Sequence, residues 1–320
     1  MKNYLFNILI FLSITCFSHE SVNLRNKKVL ICGILTDGAK DFFDTYRGIQ
    51  KVRTLFNDSR VILLEYDSKD ETKVFYECWK FYDEKVTFIS KSLRSYNHFL
   101  NSNYFGQTQY ELYAQARNEL LKEAYKKDYF DYDFLMMIDL KCYASIDEKA
   151  IKNSMENPQR DWDAIFASGL EDLSSLRSSN YPYGIESIGN NHYLRNLDYI
   201  RKKYSAELLK DRWIQVDSGY GGIAIYKLEA IRGSFYSGFF TEELLEKTHD
   251  YLRSGAYKQK GNYDEMVESH QNRIFEFLYI TRNKNNNVFV SEHLNFHLDI
   301  QKKGFNRFFV DASLAREIKY

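Results

Sequence analysis

The sequence predicts an α/β protein with a mostly parallel central sheet covered by helices on both faces, three layers in all. Three observations predict it. Val29–Leu35, Val61–Tyr66 and Phe134–Asp139 are near-continuous apolar runs of strand length, as strands buried on both faces require. Segments of helical periodicity separate them, so strand alternates with helix through about the first 140 residues. The runs stop at or just before Asp37, Asp67 and Asp139. In such sheets ligands bind beyond the carboxyl ends of the strands.

The elements follow in order. After the first strand a helix is predicted over 40–56, then the strand Val61–Tyr66, a helix over 71–82 and a short strand at Val86–Ile89. The clearest helix covers 108–127, where Leu112, Tyr113, Ala116, Leu120, Leu121 and Ala124 share one face. The second half is less regular. Ala164–Ala167 reads as a short strand, and 170–191, rich in Ser, Asn, Tyr and Gly, as a long loop. Asp217–Gly222 is a glycine-rich turn that feeds a strand at Ile223–Tyr226. Ser291 can cap a helix running to about Lys303, and Phe308–Val310 is the final strand.

Composition narrows the function classes. Lys plus Arg and Asp plus Glu number 44 each, so there is no global charge to attract nucleic acid. Four scattered cysteines form no disulfide framework and no metal-ligand spacing. Residues 1–20 read as a targeting segment. Tyr4–Phe17 is apolar after a short positive start, and at about 14 residues it suits a signal-peptide core better than the ~20 residues of a membrane span. Cleaved signal peptide and uncleaved signal-anchor both remain open, so a membrane partner is expected only through this segment. The remainder, 28–314, reads as one domain with halves at 28–145 and 146–314. There is no glycine-rich phosphate loop between strand and helix, no nucleophile elbow and no zinc-type cluster.

Four stretches carry chemistry, and their order matters more than any one of them. They are Glu65–Thr72, an acidic turn after the second strand; Ala116-Arg117-Asn118 on the clearest helix; Asp131–Lys141, ending in Ile138-Asp139-Leu140-Lys141; and the set Val216–Tyr226, Ser291–His297, Gly304 and Phe308–Val310. Together they resemble the nucleotide-sugar glycosyltransferases of GT-A fold, capsule-type and inverting members among them. The resemblance implies a GT-A-like, Rossmann-type three-layer sandwich. It also implies a nucleotide-sugar donor and a glycan or glycoprotein acceptor.

On that resemblance Thr36, Asp67, Arg117, Asp139 and Lys141 bind the donor: Asp67 at base or ribose, and Arg117 at the diphosphate, which its planar fork suits. Asp139 matches the first carboxylate of the Asp-x-Asp motif that holds a divalent Mn or Mg ion. Lys141 stands in place of the second, and it cannot ligate a cation but can neutralise a diphosphate directly. A divalent metal is therefore a doubtful cofactor, with Asp139 and His297 as its candidate ligands. Gly221, Gly222 and His293 fall on the acceptor side. Glu292 matches the general base, which takes the proton of the attacking acceptor hydroxyl. The competing expectation is an inactive protein of the same fold that binds glycans or nucleotide-sugars.

Overall fold

The computed structural model of the chain describes residues 22–93, 109–140, 147–156, 160–168, 176, 204–208, 210–244, 246–247, 250 and 290–314. The N-terminal apolar segment and Lys141 lie outside these residues. The strands are β1 (Lys28–Leu35), β2 (Asp58–Tyr66), β3 (Val86–Lys91), β4 (Phe134–Asp139), β5 (Ala164–Ala167), β6 (Trp213–Val216), β7 (Ile223–Lys227) and β8 (Phe308–Asp311). They form one eight-stranded sheet in the order β3-β2-β1-β4-β7-β5-β8-β6.

The pleat explains the layers, because successive side chains point to opposite faces. Val29, Ile31 and Leu35 of β1 pack with Val61 and Leu63 of β2 and with Phe134, Met136 and Ile138 of β4. This face is covered by the helices Phe42–Arg53, Thr72–Tyr82 and Glu148–Met155, through Ile49, Val52, Tyr76, Trp79, Ile151 and Met155. The intervening residues Leu30, Cys32, Ile34, Ile62, Leu64, Leu135 and Met137 pack the other way. There they meet Ala116, Leu120, Leu121 and Ala124 of the helix Gln109–Ala124, and Phe296 and Ile300 of the helix Glu292–Lys302 join the same cluster. Both faces are buried, and that is why these strands read as unbroken apolar runs.

The sheet is mixed. β3-β2-β1-β4 is parallel throughout, as the alternation of strand and helix requires. Beyond β4 the direction changes: β7 is antiparallel to both β4 and β5, and β6 is antiparallel to β8, while β5 and β8 run parallel. The final strand therefore slots between β5 and β6. The helix Glu148–Met155 and strand β6 were not anticipated from the sequence. Among the described residues no helix is long and apolar enough to cross a membrane.

One close approach fixes Gly238 against the helix Gln109–Ala124. Gly238 donates its N–H to Glu111 Oε2 at 2.9 Å, and its carbonyl accepts from Val290 N–H at 2.8 Å. A Cβ at this position would stand 2.5 Å from the Glu111 backbone nitrogen. We expect Gly238→Ala to cost about 1–3 kcal/mol through overpacking, read as a lower urea midpoint at unchanged slope. Gly38→Ala, whose new methyl meets only Leu35 at 3.6 Å, is the control. Equal midpoints for the two variants would show that the close approach is not made.

Candidate functional site

Strand order makes the site. The chain builds β1, β2 and β3 outward to one side and then returns to lay β4 on the other side of β1. Connections leave β1 and β4 in opposite directions, which opens a crevice at their carboxyl ends. Asp139 is the last residue of β4, and its N–H donates to Gly222 O at 3.0 Å. Gly221 and Gly222 have φ of 56° and 88°, a left-handed backbone open to glycine at no steric cost. The turn they make brings Tyr220 into the core and starts β7 beside Asp139. Thr36, half-buried, follows β1 at the same edge.

Two helices deliver the charges. Arg117, on Gln109–Ala124, and Glu292, in the first turn of Glu292–Lys302, are each only 3% exposed. Arg117 Nη1 donates to Glu292 Oε1 in a buried ion pair. The guanidinium lies 4.9 Å from the ring centre of Tyr220, 5.7 Å from Tyr236 and 5.8 Å from Tyr113, so three aromatic faces share the cation. Burial works against the Arg117 charge, but Glu292, Tyr220, Tyr236 and Asp139 hold its pKa well above the ordinary value. Asn118, the next residue, clamps Tyr236 in place: its Oδ1 accepts from Tyr236 N–H at 2.7 Å, and its Nδ2 donates to Tyr236 O at 2.9 Å.

The two histidines of the second helix differ. His293 stacks on Tyr220 at 4.0 Å and meets Tyr236 edge-on at 5.3 Å. Burial, helped by Arg117 and His297, holds its pKa well below the usual value, so it is neutral. Neither of its ring nitrogens makes a hydrogen bond, although Nε2 lies 3.5 Å from Glu292 Oε1. His297 has both nitrogens engaged, with Ser218 Oγ and with Tyr226 OH, each at 2.8 Å. Burial pulls its pKa down to about 3.

The expected residues therefore divide. Arg117, Asp139, Glu292, His293 and the Gly221–Gly222 turn come together. His297, expected as a metal ligand with Asp139, instead has both ring nitrogens hydrogen-bonded to Ser218 and Tyr226, one as donor and one as acceptor. Among the described residues no three His, Cys, Asp or Glu side chains stand as a metal-ligand set. Asp67 has φ of 50°, and its carboxylate accepts from the Ser92 hydroxyl at 2.7 Å and from Leu93 N–H at 3.0 Å. It thus locks the turn that leaves β3. Sequence reasoning missed Tyr220 and Tyr236, which wall the ion pair. The Tyr220 signal was an aromatic residue set among glycines in Ser218-Gly219-Tyr220-Gly221-Gly222.

A pH dependence follows from His297. Its folded pKa of about 3 lies below its ordinary 6.5, so between those values only the unfolded chain takes up the proton. Its share of stability is present above pH 6.5 and is lost as pH falls toward 3. Between pH 6.5 and 5 that loss is about 2 kcal/mol. Urea midpoints should fall over this range and fall less steeply in His297→Gln. An unchanged slope in the variant would mean that His297 is not held neutral.

No family model and no curated protein sequence matches the chain. Among solved structures it is similar to a mannosyltransferase from Pyrobaculum calidifontis in complex with GDP-Man and Mn2+. That match has 12% identity and a TM-score of 0.36, over 68% of this chain and 49% of that one. It is similar also to residues 1–349 of TarS from S. aureus, with 11% identity and a TM-score of 0.34, over 70% of this chain and 55% of that one. A third is the apo form of mouse xyloside xylosyltransferase 1, with 11% identity and a TM-score of 0.32, over 89% and 84% of the two chains. The chain spans about half the length of the first two structures.

Proposed function

We propose that the chain is a glycosyltransferase that moves a sugar from a nucleotide-sugar donor to a glycan or glycoprotein acceptor. One observation carries the reading: Asp139 ends β4 at the strand edge where nucleotides bind in such folds, and it bears on the charge of Arg117, which pairs with Glu292. A nucleotide-sugar needs a cation for its diphosphate, an acceptor for its sugar or ribose hydroxyls and a base for the incoming hydroxyl. In this assignment Arg117 meets the diphosphate, Thr36 and Asp139 the ribose or sugar, and Asp67 shapes the turn that receives the base. Lys141, two residues beyond Asp139 in the sequence, adds a second positive charge. In this assignment charge neutralisation falls to these cations. In the transfer step the acceptor oxygen attacks the anomeric carbon, the bond from that carbon to the diphosphate breaks, and the hydroxyl proton passes to Glu292.

The burial of Glu292 favours a second reading, a protein that binds nucleotide-sugars or glycans without transferring them. Release of nucleotide from the donor, lost in Glu292→Gln, separates the two. Export through the N-terminal apolar segment belongs to the same proposal, with the enzyme lumenal in the secretory pathway or released from it.

Calorimetric titration of the purified protein with UDP- and GDP-sugars, with Mn and with chelator, tests the reading. Binding that persists in chelator is expected, weakened about tenfold or more in Asp139→Asn by the loss of a charged hydrogen-bond acceptor. Binding only with Mn would overturn the metal-free assignment. Absence of binding in both conditions would overturn the glycosyltransferase itself.

A further inference from the structure

Where it stands, Glu292 is not placed to act as a base. Arg117 neutralises it, and Tyr220, Tyr236 and His293 enclose the pair, leaving each side chain 4% exposed. Arg117 is equally unready for a phosphate while its charge is matched by Glu292. The two groups that the transfer needs, one for the donor and one for the acceptor, cancel each other in this arrangement.

The cluster also holds capacity that this arrangement does not use. Arg117 Nε is buried and makes no hydrogen bond, and neither ring nitrogen of His293 makes one. Buried polar groups left in this way are costly, so an arrangement that engages them has a standing advantage. His293 Nε2 is already 3.5 Å from Glu292 Oε1, short of a hydrogen bond by a small movement. Asp139, at the crevice, lies close enough to bear on the charge of Arg117. The guanidinium thus answers to two carboxylates, Glu292 by a direct hydrogen bond and Asp139 by its charge.

We propose that Arg117 exchanges Glu292 for the diphosphate of the donor, and that the released carboxylate turns to His293, so that the base is armed only when the donor is in place. This rests on the nucleotide-sugar reading above. A diphosphate carries more charge than one carboxylate and accepts two parallel N–H bonds from a guanidinium, which lets it win the exchange. Neutral His293 then donates one N–H to Glu292, orienting the carboxylate without cancelling its charge. Among the described residues, Arg117 on Gln109–Ala124, Tyr220 in the turn before β7, Tyr236, and Glu292 and His297 on its own helix are the titratable groups around His293. Of these only Arg117 carries a positive charge in the folded chain. Arg117 is one of the groups that hold the imidazole neutral, and burial, the larger cause, remains when Arg117 turns to the diphosphate, so the ring still serves as a neutral donor. The exchange imposes an order in which donor binds before acceptor.

The exchange makes a prediction that a fixed role for Glu292 does not. If the carboxylate competes for Arg117, removing its charge must tighten diphosphate binding while abolishing transfer. UDP and GDP are titrated calorimetrically into wild type, Glu292→Gln and Glu292→Asp in metal-free buffer, with circular dichroism to confirm folding. The expected result is affinity at least tenfold higher in Glu292→Gln than in wild type. Glu292→Asp, which keeps the charge but shortens its reach, should fall between them and provides the reading if the Gln variant does not fold. Wild-type binding with equal or weaker binding in the folded variants overturns the exchange and leaves the donor reading standing. Binding by the variants alone supports the exchange in its strongest form. No binding by any of the three overturns the donor reading, and the exchange with it.

Discussion

The ion pair between Arg117 and Glu292 is the constraint around which the rest of this face is arranged. Two charges taken out of water are expensive, and losing one partner of a buried pair costs about 3–5 kcal/mol. The chain meets that demand with aromatic walls. Tyr220 and Tyr236 face the guanidinium, Asn118 clamps the backbone of Tyr236, and His293 stacks on Tyr220. The pair joins residues 175 positions apart and so ties the helix before β4 to the helix before β8. The Gly221–Gly222 turn serves the same end, since it lets the chain lead away from Tyr220 and enter β7 against Asp139.

The acidic residues at the other strand ends work mainly as turn locks. Asp37 and Asp67 both have φ near 50°, a region that costs an ordinary side chain about 1 kcal/mol or more. Each offsets that cost with local hydrogen bonds. Asp37 Oδ1 accepts from Lys69 N–H at 2.7 Å, and its own N–H donates to Ser68 Oγ at 3.0 Å. Beneath them Glu65, fully buried, accepts from Ser68 N–H and from the Ser90 hydroxyl, each at 2.6 Å. These strand ends are thus held by a local set of hydrogen bonds.

Much of the architecture was legible because burial on both faces leaves a plain trace. β4 and β5 begin and end where their apolar runs do, and the helix read over 108–127 is the observed Gln109–Ala124 with frayed limits. The helix Glu148–Met155 left only a short polar trace, although Asp147 caps it by accepting from Lys149 N–H at 2.9 Å. β6 is four residues with two buried positions, too brief for a period to show. Strand direction beyond β4 is not written in periodicity at all. At the site, the order of the motifs was readable, and the partners of each residue were not. The spacing of His293 and His297 told of a shared helix face. It did not tell that Ser218 and Tyr226, from distant segments, would saturate one of them and leave the other bare.

The position of β8 has a consequence for how the chain comes into being. Residues 308–311 fill the gap between β5 and β6, strands made some 90 to 150 residues earlier in synthesis, each of which offers an open edge until then. The parallel half, closed by neighbours in sequence, can assemble while the ribosome is still at work. The other half waits for residues 308–311 and depends on contacts of long sequence separation, which form slowly. A nascent chain stalled short of residue 308 therefore presents an unfinished sheet, the form of this protein most in need of a chaperone.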